Sequence, residues 1–182
     1  MRLAPPDPPL DDGVVRLEPL GLAHLAGMRS LGDDPDVERF TYVRTPLTDE
    51  GAQAWLDRYI EGWRDGTLAG FAIAPSGGGE FLGFAAIVRY DADARHAELG
   101  YIVAPAARGR GVAGRAVKLL SDWCLGPQGL ERVELRIDVA NAASLRVAAK
   151  LSFVKEGVLR SMHFKDRQRV DLAVYSRLPA DL

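Results

Sequence analysis

The chain has 182 residues, of which 47% are apolar and 26% charged, a composition typical of one folded domain with a sizeable core. Its formal net charge of −2 provides no overall basic field, which excludes nucleic acid as the main partner. One cysteine, Cys124, and three scattered histidines exclude an internal disulfide and predict no metal site.

The N-terminal segment is rich in proline, with four prolines among the first nine residues. We therefore expect residues 1–12 to form a flexible arm and residues 13–182 to form a single domain. The arm contains no apolar leader segment, and no apolar stretch reaches the roughly 20 residues of a membrane span. The sequence predicts a cytoplasmic protein with no membrane partner.

The first half of the domain contains alternating strand-like and helix-like segments, which are strands at 14–18, 71–74 and 81–89 and helices at 22–31 and 49–64. Thr48 or Asp49 is expected to cap the second helix, and Gly66 to end it. The glycine-rich residues 75–79 predict a hairpin turn between the second and third strands.

A fourth strand, 97–103, is followed by Arg-Gly-Arg-Gly-Val-Ala at 108–113 and then by a helix from Gly111 to about Leu125. Gly109 and Gly111 lack a Cβ, so the backbone can approach a ligand, and the helix start offers unpaired N–H groups. The two arginines of this loop add charge that suits a pyrophosphate. The spacing fits neither common nucleotide loop, so ATP and NAD are not the expected ligands.

The second half continues with a strand at 133–139 and a helix that opens at Asn141 or Ala142 and runs to Leu151. Strands at 153–159 and 169–176 complete the chain. This order of elements predicts an α+β fold in which helices cover a sheet.

Four features follow one another along the chain: the strand at 97–103, Arg108-x-x-Gly111-x-Ala113, Asn141-x-x-Ser144, and Lys150-Leu-Ser-Phe153 with Glu156-Gly157. In this order they resemble the motifs of the GNAT family of N-acetyltransferases. The nearest subgroup is the Rim-type ribosomal-protein N-terminal acetyltransferases, over about residues 14–178. The resemblance implies a three-layer fold with helices on both faces of a mixed, mostly antiparallel sheet. It also implies that the sheet is splayed between the fourth and fifth strands.

The resemblance implies acetyl-coenzyme A as cosubstrate and no metal. Its pyrophosphate would contact the loop and helix start, at Arg108, Gly109, Arg110, Gly111, Val112 and Ala113. Its pantetheine arm would pair with the strand edge near Ile102 and Val103, with Asn141 and Ser144 at the end of the arm. A backbone N–H near Val103 would polarise the thioester carbonyl.

In this family an amine attacks the thioester directly within a ternary complex. Many members carry a tyrosine acid seven residues after the asparagine, but here that position is Ala148, and the resemblance then implies Ser144 as the acid. Two bases remain open. Glu98 qualifies if burial raises its pKa, and His163 qualifies because a histidine titrates near 6.5. Each of the three residues also has a purely structural explanation. Ser144 would be a hydroxyl at a helix start, Glu98 a solvated strand residue and His163 a surface histidine.

The acceptor is expected to be a primary amine. An α-amine, with a pKa of about 7.7–8.0, needs little deprotonation, which favours a protein N-terminus. A small-molecule amine, such as an antibiotic or polyamine, is the alternative, as is a catalytically weak coenzyme A sensor. Acidic residues near position 35 would suit a cationic acceptor, and a homodimer through the C-terminal strand is possible.

Overall fold

In the computed structural model, residues 2–43, 45–165 and 168–182 are described, and eight strands form one sheet in the order β1-β2-β3-β4-β5-β6-β8-β7. The strands are β1 (Leu10–Asp11), β2 (Val15–Pro19), β3 (Ala69–Pro75), β4 (Gly83–Asp91), β5 (His96–Val103), β6 (Arg132–Asp138), β7 (Val154–Lys165) and β8 (Gln168–Arg177). The helices are α1 (Leu25–Leu31), α2 (Pro35–Phe40), α3 (Asp49–Asp65), α4 (Val112–Leu125) and α5 (Ala142–Lys150).

The sheet is antiparallel except where β5 meets β6. These two strands pair in parallel, and only His96–Glu98 lie against Arg132–Glu134. Beyond those three pairs the strands separate, so the sheet is splayed between them. β5 and β6 are the fourth and fifth predicted strands, displaced by one because β1 was not predicted. The predicted α+β class and its splay are confirmed.

Alternate side chains along the strands enter two apolar cores on opposite faces of the sheet. Phe71 and Ile73 of β3 pack into a core with α4 and α5, whereas Ala72 between them packs into a core with α1, α2 and α3. This period of two is the ordinary geometry of a strand that is buried on both faces. We call the two sides the α4–α5 face and the α1–α3 face.

The N-terminal segment is docked onto the domain, which corrects the prediction of a flexible arm for its described residues; Met1 lies outside them. Leu3 is only 2% exposed and belongs to the core on the α4–α5 face. Leu10 pairs with Leu17 of β2, and Asp12 forms an ion pair of 2.8 Å with Arg115 of α4. A single leucine among prolines gives no periodic signal, so its burial could not be predicted locally.

Replacing Leu3 with alanine is expected to lower the free energy of unfolding by about 2–5 kcal/mol, because it leaves a cavity in a packed core. Urea unfolding followed by circular dichroism measures this change. Leu22→Ala is the matched control, since Leu22 is 71% exposed and its loss is expected to change stability by less than about 0.5 kcal/mol. Equal effects of the two substitutions would favour a loose arm.

Local capping signals locate the helices well. The Thr48 hydroxyl accepts a hydrogen bond of 3.1 Å from the N–H of Gly51, and Gly66 ends α3 with φ of +68°, as predicted. The predicted helix at 22–31 begins with a 3₁₀ turn, and α2 was not predicted. Asp34 caps α2 and Pro35 follows it, a pair that is a recognisable start signal. Among the described residues, no helix is long and apolar enough to cross a membrane.

Candidate active site

The splay exposes one backbone edge of β5. The N–H of Ala104 donates to the carbonyl of Leu82, 2.9 Å away, which sets the alternation of hydrogen bonds along this antiparallel pair. It follows that the backbone of Ile102 faces β4, while the N–H and C=O groups of Tyr101 and Val103 face the splay. This corrects the expected pairing role of Ile102, whose side chain is also buried in the core of the α1–α3 face.

The loop after β5 forms an open cradle at the start of α4. Gly109 and Gly111 have φ of +74° and +78°, and no described atom lies within 4 Å of a Cβ built on either one. The first N–H groups of a helix have no intrahelical acceptor, and they carry the positive end of its dipole. Val112 is buried, so it can contribute only its backbone, and Ala113 follows it in the first turn. The arrangement fits a pyrophosphate.

Arg108 does not point its charge at this cradle. Its Nε donates to the carbonyl of Val103 at 3.2 Å, and its guanidinium pairs with Asp36 at 3.0 Å and with the buried carboxylate of Asp34. The expected charge contribution of Arg108 to phosphate binding is therefore corrected, because its side chain ties β5 to α2. Arg110 is exposed and remains the arginine whose charge the loop can offer.

Glu98 is not a solvated strand residue. Glu98 lies four residues before Ile102 on β5, so the two side chains point to the same face of the sheet, the α1–α3 face. The Glu98 side chain is 13% exposed there. Burial raises the pKa of Glu98 above its ordinary value, and the guanidinium groups of Arg136 and Arg89 oppose this shift. They lie 3.5 and 3.9 Å from Oε2, and this buried oxygen accepts no hydrogen bond from the described residues.

Arg136 belongs to a ladder of ion pairs that crosses the sheet. It lies 2.8 Å from Glu134, which pairs at 3.0 Å with Arg132, and Arg132 pairs at 2.6 Å with Glu156. Glu134 therefore holds Arg136 more closely than Glu98 does. Glu98 is left as the weakly paired carboxylate at one end of the ladder, as a proton acceptor requires.

His163 lies on the same side of the sheet, and the two extra residues that precede it in β7 leave the alternation of faces unchanged. Leu159 lies opposite Leu172, but His163 lies opposite Val170, so β7 contains two extra residues. The imidazole packs edge-on against the ring of Tyr42, with 4.4 Å between ring centroids. Burial, and then the charge of Glu98, raises the pKa of Tyr42. Both predicted bases therefore neighbour Tyr42, a residue that no sequence motif indicated.

Ser144 lies on the opposite, α4–α5 face of the sheet, beside Tyr101. The Asn141 side chain accepts a hydrogen bond of 3.0 Å from the N–H of Ser144 and so caps α5. The Tyr101 hydroxyl is buried, which raises its pKa, and an interaction with Ser144 lowers it in part. No well-aligned hydrogen bond to a described residue satisfies this hydroxyl. Tyr101 was not among the predicted site residues, since an aromatic side chain in a strand normally indicates packing.

Cys124 takes no part in the site. It lies in the core on the α4–α5 face, and burial raises the pKa of its thiol. In the described ranges, no group of three or more histidine, cysteine or acidic side chains could hold a metal ion.

The protein thus offers a phosphate cradle and a strand edge within one splayed sheet, and a titratable carboxylate on the face opposite Tyr101 and Ser144. This arrangement suits an enzyme that joins a long thin cosubstrate to a second substrate through the splay. Residues 15–154 match the acetyltransferase (GNAT) domain family. The chain belongs to this family and is an N-acetyltransferase that uses acetyl-coenzyme A.

Two sequence relatives and one solved structure illustrate the similarity. The uncharacterized N-acetyltransferase p20 of Bacillus licheniformis is 28% identical over 146 residues, which cover 80% of this chain and 82% of p20. The spermidine N(1)-acetyltransferase of Escherichia coli K12 is 27% identical over 157 residues, covering 85% of this chain and 80% of that enzyme. Mycobacterium smegmatis RimJ in complex with CoA-disulfide is 26% identical, with a TM-score of 0.82 over 93% of this chain and 84% of RimJ.

Proposed function

We propose that this enzyme acetylates the α-amine of a protein N-terminus by direct attack of the amine in a ternary complex. The observation that carries this proposal is Glu98, a carboxylate that is only 13% exposed and has a raised pKa, on the face away from the cofactor cradle. An α-amine is only modestly basic, so such a carboxylate can take its proton directly or through water. The resemblance of the sequence motifs to the Rim-type N-terminal acetyltransferases supports the same substrate class.

The residues divide the reaction between the two faces of the sheet. When bound, acetyl-coenzyme A supplies the thioester carbonyl that the amine attacks. Glu98, or His163 in its place, accepts the proton of the amine as the N–C bond forms. The N–H of Val103 faces the splay and can polarise the carbonyl. As the C–S bond breaks, Tyr101 and Ser144 return a proton to the thiolate.

Tyr101→Phe and Ser144→Ala are each expected to lower kcat by about 10- to 100-fold, because both hydroxyls serve the leaving thiolate. The kcat of the double variant is expected to be no lower than that of the less active single variant, because the effects of groups that act as a unit are not additive. Thiol release under saturating acetyl-coenzyme A measures kcat. Unchanged kcat in both single variants would show that neither hydroxyl is the acid. A loss in the double variant equal to the product of the two single losses would show that the hydroxyls act independently.

The experiment that tests the function compares three acceptors in a thiol-release assay. They are a short peptide with a free N-terminus, the same peptide with a blocked N-terminus and one internal lysine, and spermidine. We expect the free N-terminus to be at least tenfold faster in kcat/KM, about 1.4 kcal/mol in transition-state binding. Faster turnover of spermidine would favour a polyamine acetyltransferase. Calorimetric binding of acetyl-coenzyme A with no turnover of any amine would favour a sensor.

We further propose a cytoplasmic homodimer that forms through β7. The C-terminal strand β8 pairs with both β6 and β7, so it offers no free edge, which corrects the predicted interface. β7 lies at the edge of the sheet and exposes Val154, Met162 and Phe164. An exposed apolar edge strand pairs readily with another strand. Light scattering of the purified protein measures its molar mass, and the mass of one chain would contradict a dimer.

A further inference from the structure

Two adjoining clefts, of which we call the smaller the inner part and the larger the outer part, lie on the α1–α3 face. Glu98 lines neither of them, but its neighbours Tyr42 and Arg136 line the inner part. The inner part, with a volume of about 30 Å³, is lined by Tyr42, His163 and Arg136 among others. The outer part has a volume of about 270 Å³. The cleft is continuous, because four residues line both parts. They are Arg39, Asp138, Lys165 and Val170. An acceptor whose amine lies in the inner part and whose remainder occupies the outer part contacts these four side chains.

Arg39 is the cationic side chain of the cleft that is available to bind an anionic group. It lies in the last turn of α2, is exposed, and stacks its guanidinium over the Phe40 ring, 4.8 Å from the centroid. Among the described residues, no carboxylate lies within ion-pair distance of Arg39. Arg136, in contrast, is shared between Glu134 and Glu98. The stacking orients a guanidinium that can still bind an anion.

Among the described residues, the outer part is lined by one carboxylate and two cationic side chains. Asp138 is the one carboxylate among its described lining residues, and it already accepts a hydrogen bond of 2.8 Å from the N–H of Ala140. Lys165 lines the cleft as well and donates a hydrogen bond to the carbonyl of Thr41. Arg39 is therefore the lining cation on which the recognition of an anion depends.

The acidic residues near position 35 lie outside the lining of the cleft. Asp34 and Asp36 pair with Arg108, and Asp33 pairs with Arg29 at 3.1 Å. None of these three carboxylates lines the cleft. These three carboxylates are therefore already paired and do not face an acceptor in the cleft.

We infer that Arg39 selects an acceptor that carries an anionic group, a carboxylate or a phosphate, a short distance from the reacting amine. The inference rests on the proposed function, since it assumes that the amine reacts beside Glu98. In a protein N-terminus the anionic group is an acidic side chain within the first few residues. In a small molecule it is the carboxylate or phosphate of the amine compound itself. A polycation would instead place an ammonium group against Arg39.

The test compares peptides that differ only at the third residue, which is glutamate, glutamine or lysine. For the wild-type enzyme we expect kcat/KM to be about fivefold higher with glutamate than with glutamine, the ratio set by about 1 kcal/mol from one partly exposed ion pair. Arg39→Gln removes this preference and Arg39→Glu shifts it toward lysine. The wild-type preference shrinks as salt is added, because the pair is screened.

Arg58→Gln is the matched control. Arg58 is also an exposed arginine on a helix, with its guanidinium 5.9 Å from the centroid of the Tyr59 ring, but it does not line the cleft. This variant is expected to keep the wild-type preference for glutamate. Acetylation of all three peptides at equal rates, or equal behaviour of Arg39→Gln and Arg58→Gln, overturns the inference and leaves the proposed function standing.

A separate arm covers the case in which no peptide N-terminus reacts, which overturns the proposed function. Free aspartate, O-phosphoethanolamine and spermidine are then compared as acceptors. Turnover of either anionic amine above spermidine, lost in Arg39→Gln, supports the selection by Arg39. Preference for spermidine, or no turnover of these amines, overturns the inference as well.

Discussion

Replacing Glu98 with glutamine is expected to lower kcat by about 10²- to 10⁴-fold, the range for removal of a general base. The amide keeps the shape of the side chain but cannot accept the proton of the amine. Binding of acetyl-coenzyme A is expected to be unchanged, because Glu98 enters the α1–α3 face and the cradle lies beyond the other end of β5. Thiol release and calorimetry measure the two quantities separately.

The pH profile distinguishes a base from a structural residue. Burial raises the pKa of Glu98 above the ordinary 4.5, despite Arg136 and Arg89. The carboxylate is the active form, so kcat/KM is expected to rise with pH through this raised pKa. Glu98→Gln is expected to lose that limb. If His163 is the base instead, His163→Gln suffers the larger loss and Glu98→Gln keeps its limb.

Stability provides the control for the same variant. A carboxyl group with a raised folded-state pKa contributes stability that is present below its ordinary pKa and is lost as the pH rises through the folded-state value. At neutral pH, therefore, Glu98→Gln is expected to be at least as stable as the wild type in thermal unfolding. Glu131→Gln, at a 57% exposed side chain paired with Arg95, is expected to leave both activity and stability unchanged. An unfolded Glu98→Gln would contradict this account.

Gly111→Trp is expected to weaken binding of acetyl-coenzyme A by at least about 100-fold, which corresponds to about 2.7 kcal/mol. The indole would project into the open space at the start of α4, where no described atom lies within 4 Å of an added Cβ. That space is where the helix N–H groups meet a pyrophosphate. Calorimetric titration measures the dissociation constant for each protein.

Gly78→Trp is the matched control for backbone strain. Gly78 also has φ of +78°, and a Cβ built there likewise meets no described atom within 4 Å, but Gly78 lies in the loop between β3 and β4. Both variants pay a similar cost of about 1–2 kcal/mol for a side chain in the left-handed region. Gly78→Trp is expected to bind as the wild type does. Unimpaired binding of acetyl-coenzyme A by Gly111→Trp would contradict the prediction that the pyrophosphate binds at this loop.

Sequence patterns predicted the features that depend on neighbours along the chain. The Thr48 and Asn141 caps each bind an N–H three residues away, and the turn at Gly111 depends on the absence of its own Cβ. α2 was missed although Asp34-Pro35 carries a start signal, because a helix of six residues shows too little periodicity.

The sequence by itself determined the family, seven of the eight strands and four of the five α-helices, and it predicted the phosphate cradle at 108–113. Only the tertiary structure decided the partners of the charged side chains. Arg108 meets Asp34, 74 residues away, instead of a phosphate, and Glu98 lies against Arg136 of a strand that departs from its own after three pairs. Such contacts depend on the pairing of strands distant in sequence, whereas helix caps and glycine turns depend on bonds that close within a few residues.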